Sequence, residues 1–171
     1  MQKNPVKTII AVDPSICKLG WAIVSGSEPL EIIETGVIKT KEKGHARIFE
    51  IAIAFQEILR NHTEVEALII ETQFIHGMRG NAVLKTTEVK GVIEGMFIAE
   101  DGSSDAEIFE VNPAQVKKAA GVTTRMKRAE SKLFVSKMVR KFFNNEMLGE
   151  DECDALAMAL VYFNHQLLCK P

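Results

Sequence analysis

Two short apolar runs in this chain each stop at an acid. Thr8-Ile9-Ile10-Ala11-Val12 ends at Asp13, and Ala67-Leu68-Ile69-Ile70 ends at Glu71. Runs this short and this uniformly apolar suit buried strands rather than helices. A carboxylate closing such a strand needs a partner, because an unpaired buried charge is costly: it pairs, protonates or binds a metal. Near the other end, Asp151 and Asp154 open a segment, Ala155-Leu156-Ala157-Met158-Ala159-Leu160, that is apolar nearly all round. Such a helix is buried on most sides, so its acidic end can reach a sheet edge.

The pattern between these points predicts the rest. Strands are expected at 7–13, 20–25 and 32–38, joined by short connections as an antiparallel meander. A helix at 46–59 carries apolar residues at Phe49, Ala52, Ile53 and Leu59 and is ended by Asn61-His62-Thr63. Strand 66–71, helix 81–99 and strand 107–111 follow. Asn112 and Pro113 form a cap and first-turn pair for a short helix at 113–119. A loop at 121–124 leads to a basic helix at 128–143 and a last helix at 150–168. Strands first, then helices alternating with strands, give an α/β fold: a mixed five-stranded sheet, three strands antiparallel and two parallel, with helices on both faces. No linker or composition break divides residues 1–171, so one domain is expected.

If the first and fourth strands are parallel neighbours, Asp13 and Glu71 finish at one edge, about 4.8 Å apart in strand spacing. Asp151 and Asp154 are three apart on a helix and lie close together, and the helix dipole favours ionised carboxylates at that end. Glu150 with Asp154 fits equally well, and Glu152 is a further candidate. Hard oxygen donors suit Mg²⁺ or Mn²⁺. Two such ions about 3.5–4 Å apart can activate water and stabilise a leaving oxygen in phosphodiester cleavage.

Charge adds to this reading. Residues 113–141 hold nine bases (Lys117, Lys118, Arg125, Lys127, Arg128, Lys132, Lys137, Arg140, Lys141) and one acid, Glu130. That is +8 in a chain of net charge −2, so the remainder carries −10. Such a concentration is a footprint for a polyanion. Other classes find little support. Gly77–Gly80 lacks the Lys-Ser/Thr partner of a phosphate loop. His45, His62, His76 and His165 fall in expected loops or helix flanks and read as surface residues. Cys17, Cys153 and Cys169 have no paired spacing and read as reduced intracellular thiols. No apolar run reaches the ~20 residues of a membrane span. The stretch after Lys3 and Lys7 reads as a strand rather than a signal peptide, which leaves the sequon at Asn61 a chance match.

At this point the motifs resemble those of a known family, the RuvC-type Holliday-junction resolvases. Ile9-Ile10-Ala11-Val12-Asp13-Pro14 with Gly20-Trp21-Ala22-Ile23-Val24 looks like its first motif. Ile69-Ile70-Glu71-Thr72-Gln73-Phe74 looks like its second. Phe109–Lys117 is similar to its third block, and Asp151-Glu152-Cys153-Asp154-Ala155-Leu156-Ala157 to its terminal motif. The resemblance runs from about residue 7 to about 163. It implies an RNase H-like fold, a homodimer, and Mg²⁺-dependent nicking of two opposed strands of a four-way DNA junction. It implies Asp13, Glu71, Asp151 and Asp154 as metal ligands, choosing Asp151 over Glu150. It also implies Lys117 and Lys132 beside the scissile phosphate, Lys118 on the DNA, and Phe74 stacking on junction bases.

The resemblance further implies helix 81–99 as the dimer contact. Gly91 and Gly95 would allow close approach there, with Val92, Met96 and Phe97 as apolar contacts; packing on the protein's own sheet needs similar residues. A cytoplasmic site of action is implied, at the nucleoid or in a phage-infected host, with room for a branch-migration helicase as partner. A broader RNase H-like nuclease acting on branched DNA or RNA is the main alternative, and a junction-binding protein without catalysis is another. Three departures from the family pattern bear on cleavage preference. Ser15-Ile16 replaces a usual Gly-Ser, Thr72 replaces a common Gln, and the loop 121–128 is longer and more basic than usual.

Overall fold

The computed structural model describes residues 6–72, 80–102, 106–122 and 126–168. Its strands are β1 (Thr8–Asp13), β2 (Lys18–Ser25), β3 (Glu31–Lys39), β4 (Val65–Glu71) and β5 (Glu107–Val111). They form a five-stranded sheet in the order β3-β2-β1-β4-β5. β2 is antiparallel to β1 and β3, while β4 is parallel to β1 and β5. The helices are α1 (Ala46–Asn61), α2 (Gly80–Asp101), α3 (Pro113–Ala119), α4 (Arg128–Phe142) and α5 (Glu150–Leu168). The expected mixed sheet is thus the observed one. The main difference is at β2, which begins two residues early because Lys18 pairs with Lys39 at the end of β3.

The central strands β1, β2 and β4 are apolar on both sides because both faces are covered. Ile9, Ala11, Ala22, Val24, Ala67 and Ile69 point to one core, filled by α5 with residues of α4. Ile10, Val12, Leu19, Trp21, Ile23, Leu68 and Ile70 point to the other, filled by α1 and α2 through Ile51, Phe55, Leu59, Val89, Ile93 and Phe97. The two-residue alternation of a strand sorts neighbours into opposite cores. Residues 155–163 of α5 are buried without a break, as the uniform apolarity of that segment demands.

Local chemistry sets the short helix. The Asn112 side chain accepts from the Ala114 N–H (2.8 Å), and the Gln115 side chain accepts from the Asn112 N–H (2.7 Å). With Pro113 in the first turn, this is a complete cap. At α4 the lone acid of the basic segment has a structural task, since Glu130 accepts the Lys127 N–H at 3.1 Å.

Two expectations change. His62 is not a free surface group. Its ring lies between Glu34 on β3 (2.7 Å) and Glu64 (3.1 Å), which tie the end of α1 to the sheet edge. Burial opposes its protonation, but the two carboxylates win and raise its pKa. Phe97 faces inward on α2 and is 3% exposed, so it belongs to the chain's own core. Apolar and polar residues are not sorted onto separate faces along α2, so its sequence does not reveal which side is inward; packing decides.

Candidate active site

The sheet brings the two strand-end acids together. Val12 pairs with Ile70, so Asp13 and Glu71 are the next residues on adjacent parallel strands. Asp13 also pairs with Gly20 across β1 and β2. Gly20 then admits the third element. A Cβ placed on it would lie 2.2 Å from the Asp151 carbonyl oxygen and 3.2 Å from the Asp151 Cβ. No side chain fits there without moving α5, so Gly20 lets the acidic start of α5 sit on the sheet edge beside Asp13. A lone glycine inside an apolar strand is the sequence sign of such close backbone approach.

Glu152 locks that helix end. Its Oε1 accepts from Thr35 Oγ1 on β3 (2.8 Å), and its Oε2 accepts from the Gly149 N–H (2.7 Å). Both oxygens are therefore engaged in holding α5, and Glu152 sits apart from the other acids in role. This cross-link from the edge strand is not readable from residue spacing, since Thr35 and Glu152 lie 117 positions apart.

The charges agree with the geometry. The Asp13 carboxyl is pushed up to about 7, first by burial and then by Glu71, Asp154 and Asp151, with Lys132 opposing. Burial also raises Asp154, against the pull of Lys132. Lys132 donates to Asp154 at 2.8 Å and lies 3.9 Å from Glu150. Its own pKa is raised, chiefly by the Asp154 hydrogen bond. So Asp13, Glu71, Asp151, Asp154 and Lys132 form one cluster of interacting charges. As the side chains stand, no three acid, His or Cys groups among the described residues close into a metal-holding group. Like-charged carboxylates repel one another, and the Lys132 ammonium partly compensates them.

The other expected residues lie around this cluster. Lys117 and Lys118 are exposed in the last turn of α3, which starts directly beyond the end of β5. Glu71 pairs with Val111, the last residue of β5, so α3 begins at the same edge of the sheet. Phe74 lies outside the described residues. Cys153, between the two helix acids, points into the core with its thiol pushed up by burial. Chemically, the cluster offers hard oxygen donors with an excess of negative charge, the set that Mg²⁺-like cations prefer.

The model of the family described as crossover junction endodeoxyribonuclease RuvC matches residues 9–162. A crossover junction endodeoxyribonuclease RuvC from Alkaliphilus metalliredigens is 30% identical over 159 residues, covering 90% of this chain and 91% of that protein. One from Thermomicrobium roseum is 27% identical over 162 residues, covering 92% and 93%. Among solved structures, Thermus thermophilus RuvC in complex with Holliday junction substrate has a TM-score of 0.73 at 22% identity, covering 94% of this chain and 96% of that one. The yeast mitochondrial Holliday junction resolvase has a TM-score of 0.67 at 13% identity, covering 97% and 81%. The fold is therefore the RNase H-like fold of those neighbours, and this chain belongs to the RuvC family of crossover junction endodeoxyribonucleases.

Proposed function

We propose that Asp13, Glu71, Asp151 and Asp154 are the catalytic metal ligands of this endonuclease, which resolves four-way DNA junctions by paired nicks in opposed strands. One observation carries the assignment. Three elements far apart in sequence deliver four carboxylates to one sheet edge, where burial and mutual repulsion push Asp13 up to about 7. Lys132 offsets only part of the negative charge gathered there, and a bound cation would offset more of it. The donor set fits Mg²⁺, with Mn²⁺ as a substitute and two ions per site. An ion held by these four residues would supply an activated water for attack on the phosphodiester and stabilisation of the leaving oxygen.

The surrounding residues then have definite tasks. Asp13 and Glu71, fixed on adjacent strands, set the floor of the site. Asp151 and Asp154 close it from α5. Lys132 balances Asp154 and is exposed enough to meet a phosphate oxygen. Lys117 and Lys118 on α3 contact the DNA backbone, Lys117 nearest the scissile phosphate, and Phe74 stacks on bases at the junction.

The same reading makes the protein a homodimer through α2. Leu84 and Ile98 are exposed on that helix, and Gly91 and Gly95 have open space where a Cβ would stand. These residues share one outward stripe that a second copy can cover. A two-fold dimer places one site on each of two equivalent strands of a two-fold junction. A helicase that moves the branch point is the natural partner, and the cytoplasm beside the nucleoid or in a phage-infected host is the natural setting.

The test is cleavage of a labelled mobile four-way junction beside linear duplex, with Mg²⁺ added or chelated. Paired nicks near the crossover, dependent on Mg²⁺ and absent from duplex, are expected. Tight binding without cutting would favour a junction-binding protein without catalysis. Equal cutting of RNA–DNA hybrid or simple branches would favour a broader nuclease.

A further inference from the structure

Every strand presents a charged or capping feature at the same end of this sheet. β1 and β4 finish there with Asp13 and Glu71, and β5 leads there into α3 with its two lysines. β2 starts and β3 finishes there, with Lys18 paired directly to Lys39. Lys18 and Lys39 fall on the α5 side of the sheet, because their neighbours Leu19 and Ile38 point into the opposite core. Lys18 is two residues along β2 from Gly20, the partner of Asp13, which is roughly 7 Å at ~3.3 Å per residue.

This pair has no internal explanation. Like charges directly opposite on neighbouring strands destabilise a sheet. Both lysines are exposed, and neither is in an ion pair among the described residues. Lys41 and Lys43 follow in the β3–α1 loop, exposed and likewise without an ion pair.

That loop is pinned, not loose. Thr40 bonds to the β1–β2 turn twice, N–H to the Cys17 carbonyl (3.2 Å) and Oγ1 to the Ile16 carbonyl (2.9 Å). Glu50 accepts the N–H groups of Lys41 (3.0 Å) and Glu42 (3.1 Å). Arg47 donates to the Glu42 carbonyl (2.6 Å) and to Cys17 Sγ (3.0 Å). So Glu50 and Arg47 are occupied in shaping the loop, and Glu42, the other acid there, makes no ion pair with these lysines. Four ammonium groups stand held out at the active-site end of the sheet.

We propose that Lys18, Lys39, Lys41 and Lys43 form a second phosphate-binding surface that holds a duplex arm of the junction on the β2–β3 side of the carboxylates. The inference rests on the junction-resolving reading above. Across the sheet the order is lysines on β3 and β2, acids on β1 and β4, then Lys117 and Lys118 beyond β5. From β3 to β5 this is four strand spacings, roughly 19 Å at ~4.8 Å each, comparable to the width of a duplex. A DNA backbone can therefore be gripped on both sides of the acids and held over them, while the acids repel phosphate unless cations are present. The +8 segment supplies one side of this grip, and the pinned loop supplies the other.

The experiment is junction binding as a function of salt, in Ca²⁺, for the full chain and for a Lys18→Gln/Lys39→Gln/Lys41→Gln/Lys43→Gln variant. Each phosphate contact adds about 0.9 to the slope of log affinity against log salt. The expected result is a slope smaller by about 2–4, with affinity at 0.15 M salt down roughly 10- to 100-fold. Thermal unfolding is measured alongside. Removing the Lys18–Lys39 repulsion predicts an unchanged or higher Tm at low salt, so weaker binding cannot be blamed on misfolding. If the quadruple variant lowers Tm, the same comparison on Lys41→Gln/Lys43→Gln alone decides, with a slope reduction of about 1–2 expected. A slope equal to that of the parent chain overturns the second surface and leaves the nuclease reading intact. A parent chain that does not bind the junction at all overturns both.

Discussion

At Asp13, burial and three neighbouring carboxylates act in the same direction, and one lysine acts against them. The consequence is a stability linkage with a definite sign. A carboxyl whose folded pKa is raised to about 7 binds its proton more tightly in the folded state than in the unfolded chain. Metal-free protein therefore loses stability as pH rises from the unfolded value near 4 towards 7. Asp13→Asn removes this linkage. Without metal it should unfold at a higher temperature than the parent at pH 8, by on the order of 1–3 kcal/mol, and the gap should close near pH 4. Differential scanning calorimetry at the two pH values checks it; a gap independent of pH would mean that Asp13 is not held at a strained charge. A second residue-scale prediction concerns Gly20. Gly20→Ala must displace the backbone at Asp151, so it should cut nicking at least 10-fold and weaken metal binding by calorimetry. Wild-type metal affinity in that variant would show the close approach to be irrelevant to the site.

At the scale of elements, Glu152 fastens the start of α5 to Thr35 on β3 and to its own first turn. Glu152→Ala loses both bonds and should raise the metal concentration for half-maximal nicking several-fold. Glu152→Gln can still accept from the Gly149 N–H and donate to Thr35 Oγ1, so it should recover most of the loss. Equal loss in both variants would argue that charge, not positioning, is what Glu152 supplies. This contrast also explains what was legible in the sequence. The acids at the ends of Thr8–Val12 and Ala67–Ile70 were legible because a charge ending a buried run has few structural uses. Asn112 and Pro113 marked α3 because capping is local chemistry. The Thr35–Glu152 bond, the Lys18–Lys39 pair and the inward turn of Phe97 depend on register and packing between distant segments, which hydrophobic periodicity does not encode. The pairing of His62 with Glu34 is hidden for the same reason: Glu34 comes from β3, 28 positions away.

At the scale of the whole molecule, the two cores leave different outer surfaces. The α5 side carries α3 and α4, and with them the +8 segment; the α1–α2 side carries the exposed Leu84, Gly91, Gly95 and Ile98 stripe. A Leu84→Glu/Ile98→Glu variant should dissociate in sedimentation at micromolar concentrations, with the dimer constant weakened at least 100-fold. A parent chain that is itself monomeric there would remove α2 as the contact. Among the described residues no helix is long and apolar enough to cross a membrane. The measurement that bears most directly on the whole account is single-turnover nicking of a four-way junction by Asp13→Asn, with junction binding followed in parallel. Binding close to that of the parent is expected, with nicking reduced at least 1,000-fold, roughly 4 kcal/mol of transition-state stabilisation. Nicking by Asp13→Asn at the parent rate would contradict it.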